Sequence, residues 1–538
     1  MKTRKFIPLL LLLPLSSCSW WPFGKKDNNK TKPELVIANV DVTNLSVNLP
    51  TIPTYNTGSI RSDETYEYID MYELSDFHGA VSYETESSKT NIGLKKLATY
   101  LNNKRALNEG GTLVLSSGDM FQGSADSNLT RGYMVNYCMN YMGFDAMAVG
   151  NHEFDWSEEW LKNNAELKYN TTSVPFLGAN IVKKSQSKMP DYLKKSTIVE
   201  RGDYKIGIIG VIGSRLEKSI LKTLIEDFDF VSYGDIVSQE AARLKNEDGC
   251  NAVILLAHDQ ADLLETFTGV DAAFGGHAHN DYPDAYPNNT RTLATANYGT
   301  SVAHISLKFD KTTKACAGVE NYNIDKFTSA VASLEDNAGI SQIIGQYDPE
   351  INKVKNIKLG TCDGDLKRDK ALKNLSNEAM YKSAVSAVKN SDSGVDSSKI
   401  IGAFTNTNGG IRSDISKGEI TYGDVYKCFP FDNEVILIKE KGSYFKDHLY
   451  TLKELSCYRV FEDKSYFKDD EDYYLVTTDY LATSDQFKKF NSYTDEDLIR
   501  TGKVARDEIA KLIYDIDNVK VSQYDTTDLP YKQIPMMF

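Results

Sequence analysis

Five times between residues 68 and 279 a short apolar run stops at a cluster of Asp, Asn, His and Gly, and this recurrence constrains the fold more than any other feature of the chain. The clusters are Asp76-Phe77-His78-Gly79, Ser117-Gly118-Asp119, Gly150-Asn151-His152-Glu153-Phe154-Asp155, Ala257-His258-Asp259 and Gly275-Gly276-His277-Ala278-His279. The runs before them, such as residues 112–116 and 252–256, are too short for buried helices and read as strands. Further strands are expected at residues 174–177, 205–212 and 272–274, with helices over 94–104 and 132–142. Strands and helices taking turns predict a layered α/β domain. In such sheets ligands gather at the carboxyl ends of the strands, which is where every cluster falls.

Any one cluster has a plain reading as a satisfied loop histidine or a turn aspartate. Their joint order argues otherwise, because five of the seven histidines (His78, His152, His258, His277 and His279) lie in these places. The donors are carboxylate, amide oxygen and imidazole without thiolate. That set suits Zn²⁺, Mn²⁺, Co²⁺, Mg²⁺ or Fe rather than a cysteine-bound structural zinc. Two divalent ions are expected: with Asp119 bridging, one takes Asp76, His78 and His279, the other Asn151, His258 and His277. His152 and Asp155 are then left for proton chemistry, the carboxylate orienting the imidazole.

A length of 538 residues predicts two to three domains. A formal charge of −14 argues against a nucleic-acid polymer as partner, since a phosphate backbone is held by Lys and Arg. The N-terminus runs from Lys2-Thr3-Arg4-Lys5 through an apolar stretch to Leu15-Ser16-Ser17-Cys18, which reads as an export signal too short to span a bilayer. The Leu-Ser-Ser-Cys ending resembles a bacterial lipobox and implies lipidation at Cys18, the membrane being reached by that anchor alone; a cleaved signal beside an ordinary cysteine is the alternative. Residues 19–65, rich in Lys, Asn, Thr and Pro, read as a flexible tether. The other six cysteines are widely spaced and are expected to stay reduced.

The first folded domain is expected over residues 66–324, a polar helical connector and hinge over 325–352, and a second domain over 353–538. The second domain carries a helix at 376–388 and strands at 400–405, 434–438 and 473–478. The tail after Val519 looks poorly ordered.

The ordered set Asp-x-His, Gly-Asp, Gly-Asn-His-Glu, a lone His and Gly-His-x-His resembles the blocks of the calcineurin-like metallophosphoesterases. The longer stretches Gly118-Asp119-Met120-Phe121-Gln122-Gly123-Ser124 and Gly143 through Asp155 are similar to the 5′-nucleotidase family, which includes bacterial UDP-sugar hydrolases and animal ecto-5′-nucleotidases. The resemblance implies an N-terminal layered α/β/β/α metallophosphoesterase sandwich followed by a C-terminal α+β substrate-binding domain.

Within that second domain, Asn408-Gly409-Gly410-Ile411-Arg412 resembles the family's Asn-Gly-Gly-x-x-Arg block with one residue fewer before the Arg. It implies Asn408 near the base or ribose and Arg412 on phosphate. Cys428-Phe429-Pro430-Phe431-Asp432-Asn433 resembles Leu-Pro-Phe-x-Asn, implying Phe431 as one wall of a base clamp with Asn433 beside it. Thr478-Asp479-Tyr480-Leu481-Ala482 resembles the segment giving the other wall, with Tyr480 where the family usually has Phe. Asp485 matches a ribose-contacting Asp, although Thr483-Ser484-Asp485-Gln486-Phe487 lacks the glycines usual there. The resemblance, loosely aligned there, implies Arg368 as a further phosphate ligand.

The expected reaction is removal of the 5′-phosphate of extracellular nucleotides to give nucleoside and inorganic phosphate. A 2′,3′-cyclic nucleotide phosphodiesterase, a UDP-sugar pyrophosphatase and a non-catalytic surface lipoprotein remain as alternatives. Oligomeric state is not legible.

Overall fold

The computed structural model describes residues 32–525 except 39, 43, 44, 46, 87, 88, 171, 265, 266, 283–290, 392, 408, 455–463 and 484–492. The chain divides into a short unit, Met1–Val36, and the unit Ile37–Phe538, which holds everything below. Of the short unit only residues 32–36 are described, and they form no regular structure. The export signal, Cys18 and the first part of the tether lie outside the described residues.

Two sheets form the centre of the N-terminal portion. One runs in spatial order Cys316–Lys326, Ser301–Asp310, Tyr66–Leu74, Thr112–Ser116, Ala146–Ala148 and Phe176–Leu177. Its four strands from Tyr66–Leu74 onward are mutually parallel. The other runs Thr292–Ala294, Ala272–Gly275, Ala252–His258, Tyr204–Ile212 and Ser196–Arg201, parallel but for its last pair.

Alternate residues explain the stacking. Ile69, Met71, Leu113 and Leu115 from the first sheet meet Ile206, Ile208, Ile254 and Phe274 from the second in one fully buried cluster. The intervening residues face outward onto helices, Val114 and Met147 toward Gly93–Arg105 and Tyr133–Met142, and Val253 and Leu255 toward Gly234–Asn246. Because both faces of each sheet are covered, their strands read as continuous apolar runs. The result is the expected α/β/β/α sandwich.

The C-terminal portion is α+β. A four-stranded sheet in the order Ile400–Ala403, Asp472–Thr478, Glu434–Lys441, Leu498–Val504 carries the helix Ala371–Lys389 on one face through Met380, Ala384 and Val388. The short helix Tyr422–Cys428 starts from a capping box in which Thr421 and Asp424 satisfy each other's backbone N–H groups. Its last turn delivers Phe429, Pro430 and Phe431 toward the N-terminal portion.

Three expectations are corrected. Residues 42, 45 and 47–61 are no tether: Val42 is buried, Val47, Leu49 and Ile52 pack on the sandwich core, and the Tyr55 hydroxyl donates to the Tyr141 carbonyl at 2.9 Å. Residues 325–352 are no polar connector either. Asp325 lies within the strand Cys316–Lys326 of the first sheet, and the helix Ala338–Lys355 buries Ile340, Ile343, Ile344, Tyr347 and Ile351 in the sandwich core. The link between the two portions is thereby confined to residues 356–357, ahead of the strand Lys358–Cys362. Beyond Val519 the chain stays packed as far as Tyr524, whose ring is buried; residues 526–538 lie outside the described part.

Candidate metal centre

Five parallel strands end on one side of the sandwich and bring their clusters together. Tyr66–Leu74 leads to Asp76 and His78, Thr112–Ser116 to Asp119, Ala146–Ala148 to Asn151 and His152, Ala252–His258 ends on His258, and Ala272–Gly275 leads to His277 and His279. Three triads of ligand atoms result, each with its atoms within 4.8 Å of one another: Asp76, His78, His279; His78, Asp119, His152; and Asp119, His258, His277. Asn151 joins the last, its Oδ1 lying 3.0 Å from both His258 Nε2 and His277 Nδ1.

The backbone is strained to achieve this. Asp76, His78, Asp119, His277 and His279 all have φ between 48° and 64°, a left-handed conformation uncommon outside glycine. Such outliers persist only where surroundings enforce them, and they cluster at functional sites. Gly150 shows the close approach required, since a Cβ there would collide with the Asp119 carboxylate.

The donor set fits divalent cations. Nδ1 of His78 lies 2.9 Å from the Gln122 carbonyl and Nδ1 of His258 lies 2.8 Å from the Ser117 carbonyl. Each carbonyl fixes the proton on Nδ1 and turns the Nε2 lone pair inward, the arrangement of a metal-ligating imidazole. Nε2 of His78 and Nε2 of His279 face each other at 3.0 Å. Asp119 Oδ2 is buried without a hydrogen-bond partner, although its 3.1 Å distance from His258 Nε2 places it at the join of two triads. An ionised oxygen left so is costly unless a cation completes it.

Electrostatics agree at His78 and His277, whereas His258, although burial disfavours its imidazolium, is held up at about 10 by the Asp119 carboxylate and has a proton to give up to a cation. Burial and then the His279 and His152 imidazoles push His78 well below the usual histidine range, and burial with His258 pushes His277 down to about 4, so both offer lone pairs at neutral pH. Burial opposes ionisation of Asp119, but His258 and His152 outweigh it and hold the carboxyl well below its ordinary value.

His152 is set apart. Its Nδ1 lies 2.8 Å from Asp155 Oδ2, and its backbone N–H donates to Asp119 Oδ1 at 2.8 Å. Burial disfavours the imidazolium, yet Asp155 and Asp119 together hold its pKa above the ordinary value. Glu153, which carried no role in the sequence reading, accepts the backbone N–H groups of Asp119 and Met120 at 2.9 Å and of Gly150 at 2.7 Å. It ties the two central loops together, and its place inside the Asn-His-Glu stretch was the available signal.

A cavity of about 450 Å³ opens over the centre. Asn151, His152, His277 and His279 form its floor, Trp156, Leu221 and Leu224 one wall, and Arg412, Phe431, Asn433 and Tyr480 another. Phe431 lies 5.8 Å from the His152 ring, and the Arg412 guanidinium 5.2 Å from the Phe431 ring. Pro430, which also lines the cavity, accepts from Asn128 Nδ2 at 2.9 Å, and Asp432 pairs with Arg131 at 2.8 Å and with buried Arg506 at 2.6 Å, so Phe431 is anchored on both sides.

Arg368 is corrected: it is exposed, does not line the cavity, and its backbone N–H donates to Asp414 at 2.9 Å. Asn408 and Asp485 lie outside the described residues. The sequence reading missed Trp156, which directly follows the Asp155 cluster, and Leu221 and Leu224, for which no local signal exists. The other two histidines stand elsewhere, His304 on Asp70 at 3.0 Å and His448 stacked on Tyr444. The five described cysteines outside the signal are free.

Comparison with known proteins matches residues 72–281 to the family described as Calcineurin-like phosphoesterase and residues 350–461 to that described as 5′-nucleotidase, C-terminal domain. A probable 5′-nucleotidase of Treponema pallidum (strain Nichols) is 25% identical over 62% of this chain; the match spans 65% of that relative, just under two thirds of its length. An apyrase of Tabanus yao is 26% identical over 68% of this chain and 70% of its own. Among solved structures, a 5′-nucleotidase precursor from Thermus thermophilus superposes with a TM-score of 0.65 at 18% identity, covering 87% of this chain and 100% of that one, a likeness of fold.

Proposed function

Given that the chain belongs to the 5′-nucleotidase family of calcineurin-like metallophosphoesterases, we propose that it removes the 5′-phosphate from nucleoside monophosphates, releasing nucleoside and inorganic phosphate. The observation that carries this is the fully buried Asp119 carboxylate shared by two ligand triads, roofed by a cavity with aromatic walls. Two divalent cations, one at Asp76, His78 and His279, the other at Asn151, His258 and His277, with Asp119 shared, would lend Lewis acidity to the phosphoryl oxygens and to the attacking water.

The residues do the rest. The base enters between Phe431 and Tyr480, where stacking contributes roughly 1–3 kcal/mol per aromatic face with little choice among bases. Its phosphate points to the cavity floor, where Arg412 offers a planar fork of donors. His152, protonated and steered by Asp155, stands over the floor to stabilise charge on the departing 5′-oxygen and to pass it a proton. Glu153 keeps Asp119 and His152 in register while this happens, so a productive geometry costs no reorganisation.

A second reading has a specific observation behind it. A further cavity of about 550 Å³ is lined in part by His78 and shares Gln122, Arg412 and Pro430 with the first. It leaves room for a substituent beyond the reacting phosphate, as a nucleotide-sugar pyrophosphatase requires. The residues around Cys18 support an exported, lipid-anchored enzyme, and among the described residues no helix is long and apolar enough to cross a membrane.

Purified protein incubated with AMP, 2′,3′-cyclic AMP and UDP-glucose, with and without chelator, tests these readings. Fastest release of phosphate from AMP, lost with chelator and restored by divalent cation, is expected. Cleavage of UDP-glucose alone moves the assignment to the pyrophosphatase, and turnover of none of them with cations present ends the hydrolase reading.

A further inference from the structure

Among the described residues, His279 is the one ligand candidate whose outer nitrogen rests on a side chain. His78 and His258 are keyed by the backbone carbonyls of Gln122 and Ser117, which no substitution removes. The Nδ1 of His279 instead lies 3.1 Å from Nδ2 of the Asn297 side-chain amide, while its Nε2 lies 3.3 Å from Asp76 Oδ1. His279 is also open to solvent, its side chain 28% exposed where His258 is fully buried, so packing does less to hold its ring.

Asn297 itself is rigidly placed. Its carbonyl accepts from the Thr300 hydroxyl at 2.8 Å, and the next residue, Tyr298, donates its N–H to the Asp76 carbonyl at 2.8 Å. On its other side the Ala296 N–H donates to Asp281 Oδ1 at 2.9 Å, an oxygen that also accepts from the Ser301 hydroxyl at 2.6 Å. Asn297 is thus fixed against the same backbone that presents Asp76, and it reaches His279 from there.

We propose that Asn297 is the positioning residue that aims His279 and thereby sets the affinity of one ion of the pair, the one belonging to Asp76, His78 and His279. With Nε2 giving its lone pair to a cation, Nδ1 carries the proton, and a half-turn of the Asn297 amide meets that proton with Oδ1. Outer partners of ligating histidines typically change metal affinity by 10–100-fold when removed. The two ions therefore respond unequally to this residue, since the Asn151, His258, His277 group has no contact with it.

The inference rests on the two-ion reading above, and its test separates the two. Calorimetric titration of metal-free protein with Zn²⁺ or Mn²⁺ is expected to give two binding events in the parent. In Asn297→Leu one event weakens about 10–100-fold and the other is unchanged, while Asn297→Asp, which keeps an acceptor for Nδ1, binds both ions at least as tightly as the parent. Two unchanged events in Asn297→Leu, or equal weakening of both, overturn the proposal. A parent that binds no second ion overturns the two-ion reading instead. Should Asn297→Leu fold poorly by circular dichroism, Asn297→Ser serves, and the same unequal response is required of it.

Discussion

The Phe431 ring, carried by the C-terminal portion, lies tilted at 31° and 5.8 Å from the imidazole of His152 in the N-terminal portion. The residue proposed to hold the base thus touches the residue proposed to hold the proton. Replacing Phe431 by Ala removes a stacking face, worth roughly 1–3 kcal/mol, and loosens the packing on His152. Steady-state kinetics should show kcat/KM for AMP falling about 10–100-fold and, for ribose 5-phosphate, which has no base to stack, falling several-fold less. Equal losses on both substrates would mean that Phe431 serves only to pack His152.

Ser157 precedes the helix Glu158–Ala165 with φ 90° and ψ 162°, a conformation essentially reserved for glycine. A side chain held there costs about 1–3 kcal/mol, partly offset because glycine orders at a cost of roughly 0.5–1 kcal/mol. Ser157→Gly should therefore raise the denaturant midpoint, by about 1 kcal/mol of stability. A lower midpoint would show that Ser157 is held by something other than local backbone geometry.

Asp479 opens the short helix that carries Tyr480, and its Oδ1 accepts the N–H groups of Glu434 at 3.0 Å and Tyr480 at 2.8 Å. Burial pushes its carboxyl up to about 6 in spite of those bonds. The folded state therefore holds a proton that the unfolded chain, with an ordinary aspartate pKa near 3.9, releases earlier. Stability from this group is fully present below about pH 4 and declines as pH rises through about 6. Asp479→Asn keeps the acceptor and removes the titration. Urea unfolding should find it more stable than the parent at pH 7, by on the order of 2–3 kcal/mol, and the difference should vanish near pH 4; a difference independent of pH contradicts the assignment.

If Cys18 is lipidated, Cys18→Ser expressed in a bacterial host should shift the protein from the membrane fraction to the soluble exported fraction with its AMP turnover unchanged. Membrane retention of the serine variant would remove the anchor from the account.

The residues that converge as candidate metal ligands were legible because each is announced twice, by a strand that ends and by a polar cluster at that end, and a parallel sheet has one such side. What escaped lacked either signal. The stripe Ile340, Ile343, Ile344, Tyr347, Ile351 has helical spacing, but polar residues such as Gln342, Gln346 and Asp348 between them disguised a core helix as a connector. Residues 47–61 pack in an aperiodic way without regular structure, so Pro50 and Pro53 looked like a tether's residues although Leu49 and Ile52 beside them are packed. Leu221 and Leu224 reach the cavity from a distant loop, and only tertiary structure brings them there. Arg368 was placed by resemblance alone, and its exposed turn does not reach the phosphate side of the cavity.

Anomalous diffraction from crystals of the protein loaded with Mn²⁺ or Zn²⁺ tests the central claim most directly. The account predicts two peaks about 3.5–4 Å apart, both next to the Asp119 carboxylate, one beside His279 and the other beside His258. A single peak, or peaks that do not share Asp119, would contradict it.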